Sequence, residues 1–85
     1  MDQVERGSAF NFNWHYVSAG VWTAKAPRGL FHLRIERVRE TERATAYIAE
    51  AVWPLGRVDF IASTTALAAT TAEAEQWAQD FEARA

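Results

Sequence analysis

The sequence predicts an α+β fold: a four- or five-stranded antiparallel β-sheet with a single C-terminal α-helix packed on one face. Three observations predict it. From Phe10 to Thr64, apolar and polar residues alternate in short runs, the period-2 signature of half-buried strands. From Thr70 onward the period becomes helical, with Ala74, Trp77, Ala78 and Phe81 recurring on one stripe. Between the alternating runs stand turn formers, Ser18-Ala19-Gly20, Pro27-Arg28-Gly29 and Pro54-Leu55-Gly56.

Residues 1–8 are charged, carry no periodic apolar pattern and read as a flexible terminus; residues 9–85 read as one domain. The first strand sets Phe10, Phe12, Trp14 and Tyr16 against Asn11, Asn13 and His15. The second, Val21 to Ala26, places Trp22, Ala24 and Ala26 on one face. The third, Leu30 to Arg39, turns Phe31, Leu33 and Ile35 one way and His32, Arg34 and Glu36 the other. The charged stretch Arg39-Glu40-Thr41-Glu42-Arg43 has no apolar anchor and reads as an exposed hairpin loop. The fourth strand, Thr45 to Trp53, faces the core with Tyr47, Ala49, Ala51 and Trp53, because the opposite choice would bury Glu50 unpaired. The fifth, Arg57 to Thr64, then points Val58, Phe60 and Ala62 inward and Asp59, Ile61 and Ser63 outward.

The helix is expected to start at Thr70, with Glu73 completing a capping box and Thr71 as the alternative cap. Glu73 and Glu75 would favour the helix dipole at its start and Arg84 at its end, while Asp80 and Arg84 lie one turn apart. Its large rings, Trp77 and Phe81, match the small Ala24, Ala49, Ala51 and Ala62 of the sheet. The chain has 85 residues and no cysteine. Its core therefore has no disulfide to brace it, and the burial must come from four Trp, five Phe and two Tyr, each ring hiding roughly 150–250 Å².

Few motifs carry chemistry. His15 and His32 lie on polar strand positions, too few for a metal site and at no ligand spacing. Ser8, Ser18 and Ser63 sit in no nucleophile elbow. Gly7, Gly20, Gly29 and Gly56 are scattered singly, so no phosphate-cradling loop is present. The acids of the helix flank its apolar stripe and should be solvated. These readings disfavour an enzyme and call for no cofactor or metal. No stretch approaches the ~20 apolar residues of a membrane span, and no signal peptide is evident; a cytoplasmic protein is expected.

Charge is unevenly placed. Residues 25–43 hold Lys25, Arg28, Arg34, Arg37, Arg39 and Arg43 against three glutamates, and the helix holds four acids against Arg84. A basic hairpin could meet nucleic acid, yet the net charge of −2 and the interleaved glutamates disfavour it. The uncovered face of the sheet is the stronger candidate. It is expected to present His32, Arg34, Glu36, Ile48, Glu50, Val52, Asp59 and Ile61, charges around an apolar centre, as protein-contact surfaces do. We take His32, Arg34, Glu36, Ile48, Glu50, Asp59 and Ile61 as candidate protein-binding residues. A second copy covering this face, or a sheet edge, would give a homodimer.

Trp14, Gly20-Val21-Trp22-Thr23-Ala24, Gly29-Leu30-Phe31-His32-Leu33 and Thr71-Ala72-Glu73-Ala74-Glu75-Gln76-Trp77-Ala78 together resemble a broad group of small phage and prophage proteins. These combine a short antiparallel sheet with one C-terminal helix. The usual T-L-E-E-A helix start of the group is altered here, with Leu67 upstream. The resemblance implies a non-enzymatic protein of the anti-CRISPR type, one that binds a bacterial defence complex such as a CRISPR effector and occludes it. It carries over no individual residue, and the alternative is a small nucleic-acid-binding or regulatory protein using the basic 25–43 hairpin.

Overall fold

The computed structural model describes residues 12–39 and 45–84. Five strands, β1 (His15–Ser18), β2 (Val21–Lys25), β3 (His32–Arg39), β4 (Thr45–Val52) and β5 (Val58–Thr64), are followed by one helix, α1 (Leu67–Arg84). The strands lie in the sheet in chain order, each antiparallel to the next. Local turn chemistry accounts for this meander. At the β1–β2 hairpin, Gly20 takes a left-handed φ of 75° and its carbonyl accepts the Arg37 N–H at 2.7 Å. A Cβ there would stand 3.4 Å from that of Arg37, so the position suits glycine on both counts. The terminus Met1–Arg6, Phe10 and Asn11 of the first predicted strand, and the Glu40–Arg43 part of the charged loop lie outside the described residues.

Ladder register puts Trp22, Ile35 and Ala49 in one row and Ala24, Leu33 and Ala51 in the next, on the same face. Ala24, Leu33, Ile35, Ala49 and Ala51 are all fully buried there, beneath Ala74 and Ala78 of the helix. The helix packs over β5, β4 and β3. Ala49 and Ala51 of β4 share this core with Ala74 and Ala78 of the helix, and the large rings of the helix meet Phe31 and Trp53 at one end. Buried Phe31 is the hub of that end. Its ring lies 4.8 Å from Trp53 and 5.6 Å from both Trp77 and Phe81. Tilted and edge-on pairs of this kind add about 0.5–1.5 kcal/mol each beyond burial.

Three expectations are corrected. The helix begins at Leu67, three residues before Thr70. Thr70 is therefore no cap: it is fully buried, donating its hydroxyl to the Ala66 carbonyl at 2.9 Å and lying 2.7 Å from the Thr64 hydroxyl. Alanines and Leu67 extend the helix backward at little cost in propensity, and no acid falls in its first turn. Second, the helix acids are not all solvated. Trp14 donates its indole N–H to Glu75 at 2.8 Å. Glu82 is buried and accepts the Arg28 backbone N–H at 3.2 Å, tying the helix end to the β2–β3 turn.

The third correction concerns β5. Ala49 pairs with Ala62, but Glu50 pairs with Phe60, so Ile61 is an extra residue in the strand, a β-bulge. Ala62 keeps its inward place opposite Ala49. Before the bulge every side chain changes face. Val58 and Phe60 turn outward, 49% and 65% exposed, while Asp59 stands opposite buried Ala51 and Ile61 packs against the core.

Candidate functional site

The face of the sheet away from the helix is built by rows of cross-strand neighbours. His32 faces Val52, Arg34 faces Glu50 and Glu36 faces Ile48. Val21, Thr23 and Lys25 continue these rows on β2, and Ser63, Phe60 and Val58 continue them on β5. Five of the seven candidate residues, His32, Arg34, Glu36, Ile48 and Glu50, thus share this open face. Asp59 and Ile61 do not. The Ile61 bulge sends both to the helix side.

At the centre of the face, the Arg34 guanidinium lies 3.3 Å from Glu50 and 3.2 Å from Glu36. All three side chains are partly exposed, so each contact is worth at most about 1 kcal/mol. Their effect is to pair the central cation, leaving the cluster with one surplus negative charge. Asp59 has a different task. It accepts the Trp53 indole N–H at 2.9 Å and Arg57 at 3.0 Å, and the Arg57 guanidinium sits 5.1 Å over the Trp53 ring. The Arg57 hydrogen bond, against an opposing contribution from partial burial and with help from Trp53, holds the Asp59 carboxyl below its ordinary value. This cluster braces the β4–β5 connection.

Exposed apolar residues cluster in that connection and the start of β5. Among the described residues six large apolar side chains are exposed, and three of them, Leu55, Val58 and Phe60, fall within six positions. Such clustering marks a contact surface where scattered single residues would not. Leu55 is fully exposed and has φ 76°, ψ 5°. Pro54 precedes it and the Gly56 N–H bonds back to the Trp53 carbonyl at 3.2 Å, so Leu55 occupies the turn position that normally takes glycine or asparagine. A bulky residue held in this conformation is strained by about 1–2 kcal/mol. Half-buried Val52, opposite Val58, extends the patch toward Ile48.

Sequence reasoning missed Leu55, Val58 and Phe60. The Trp53-Pro54-Leu55-Gly56 stretch held half a signal: Pro in the second turn position sets Leu55 in the third, which takes positive φ in a type II turn though not in a type I turn. The bulge held none, since no glycine marks it. The basic hairpin is divided by the ladder. Lys25 and Arg34 stand on the open face, Arg37 pairs with Tyr47 on the helix side, and Arg28 lies in the β2–β3 turn.

Among the described residues no group of three metal-ligating side chains converges, and no helix is long and apolar enough to cross a membrane. No family model matches the chain, nor does any curated protein or solved structure.

Proposed function

We propose that this chain is a non-enzymatic protein-binding module that works through the open face of its sheet. In its specific form it inhibits a bacterial defence complex by occluding it, as the likeness to small phage proteins implies. The observation that carries the binding reading is the patch of Leu55, Val58 and Phe60. It couples exposed apolar surface with a strained turn, beside the ion-paired Arg34–Glu50–Glu36 centre. Apolar anchors next to satisfied charges are the anatomy of a protein interface. Strain retained at a solvent-exposed leucine has no stabilising effect on the fold, which favours a role in contact.

The test is a plaque assay in hosts with active CRISPR defence, comparing the wild-type chain with Leu55→Asn and Phe60→Ser. Restored phage growth with the wild type, lost in both variants while their circular dichroism stays native, supports the proposal. Equal plating with and without the protein across such hosts counts against inhibition. Protection that survives both substitutions removes the patch from the mechanism.

A further inference from the structure

Beside the apolar patch, the first three strands gather a different chemistry. His15 stands opposite Thr23, and Lys25 stands opposite His32. With Asn13 from the lead-in to β1, these side chains line a concavity of about 640 Å³, which Ala26 and Pro27 help to wall. That volume lies within the roughly 300–1,000 Å³ of small-ligand sites. Each of the five polar side chains can donate a hydrogen bond, Lys25 as a full cation. No carboxylate is found among the described lining residues. Lys25 has no salt bridge among the described residues either. The contrast with Arg34, one row away and held by two glutamates, is informative. The sheet pairs its central cation and leaves the one at its end without a carboxylate partner among the described residues.

We propose that this concavity binds the phosphoryl group of a small phosphorylated molecule. A carboxylate offers two coplanar oxygens and a single negative charge, whereas a phosphoryl group offers three oxygens and a charge of about −1.5 to −2. Donors from three strands and the lead-in to β1, one of them a cation, suit the more highly charged, three-oxygen group, and the remaining volume accommodates the body of the ligand. The proposal does not rest on the protein-binding reading, for it uses none of Leu55, Val58 and Phe60.

The experiment is a titration of the full chain with inorganic pyrophosphate at constant ionic strength, followed by amide and imidazole NMR resonances. The expected result is saturable shifts with one dissociation constant, confined to Asn13, His15, Thr23, Lys25, His32 and their neighbours. Lys25→Gln, at an exposed position that leaves the core untouched, should weaken binding about tenfold, as loss of one charge-assisted hydrogen bond does. Arg57→Gln, on the far side of the sheet, should leave it unchanged. Shifts that fail to saturate, or that spread equally over Arg28, Arg37 and Arg84, overturn the proposal, as does an unchanged affinity in Lys25→Gln. Tighter binding of a short oligoglutamate peptide or a thymidine oligonucleotide at the same residues also overturns it, in favour of an acidic protein or a nucleic acid.

Discussion

Phe60→Ser separates the two possible readings of β5 by a measurable margin. Phe60 is 65% exposed, so only about a third of its surface is hidden by the fold. For an aromatic ring of roughly 150–250 Å², that is about 50–90 Å², and at ~25 cal/mol/Å² it stabilises the protein by about 1–2 kcal/mol at most. Were the alternation regular through β5, Phe60 would sit beneath the helix as Phe31 does. Truncation of such a ring costs about 3–5 kcal/mol, a large share of the ~4–13 kcal/mol expected for a domain of this size. Urea denaturation resolves the two: with a slope near ~1 kcal/mol/M, Phe60→Ser should lower the midpoint by about 1–2 M. Phe31→Ala, in the same buffer, should lower it by about 3 M or more. Equal losses in the two variants would refute the outward placement of Phe60 and with it the bulge at Ile61.

Leu55→Asn should raise stability by about 0.5–1 kcal/mol, since asparagine tolerates positive φ; a lowered urea midpoint would show that the Leu55 turn is not strained. Glu82→Gln keeps an oxygen for the Arg28 N–H while removing a buried charge next to the helix's negative end. It should raise the melting temperature by roughly 4–8 °C, about 1 kcal/mol for a domain this small, and a fall in that temperature would show that the charge is needed. Asp59 titrates at lower pH in the folded chain than its ordinary 3.8. Its contribution is therefore complete above that value and is lost as pH falls through the depressed folded value. The stability gap between wild type and Asp59→Asn should thus be widest above pH 4 and close on acidification below it; a gap independent of pH across that window would show that the Arg57 and Trp53 contacts do not depend on the charge.

Where periodicity and burial point the same way, the fold was legible. The alternation in Phe31-His32-Leu33-Arg34-Ile35 placed β3 correctly on both faces, and excluding Glu50 from the core oriented β4. The expected match of Trp77 and Phe81 to alanines in the sheet is replaced by another: Ala74 and Ala78 share the core with those alanines, and the two rings meet Phe31 and Trp53 at one end. The helix start was misjudged because Thr70-Thr71 satisfies a local capping rule, while packing against β5 rewards burial of Thr70 and extension back to Leu67. The face of Asp59 and Ile61 was misjudged because period-2 reasoning carries a single error through every preceding residue. Five of the candidate site residues survived that error. The exposed patch at Leu55, Val58 and Phe60 and the donor-lined concavity did not follow from the sequence, since each needs the lateral order of strands that only the ladder supplies.

The extra residue at Ile61 has a consequence for comparing this chain with others. Removing it would leave Phe60 opposite Glu50 and Ala62 opposite Ala49, the same partners in an uninterrupted ladder. A one-residue gap at this point of an alignment would therefore leave every other pairing of β5 unchanged and remove only Ile61's own contact with the core. The same gap two strands earlier, in β3, would exchange the faces of half that strand. Aligning distant relatives of this protein calls for a gap penalty that is lenient at position 61 and severe between His32 and Ile35.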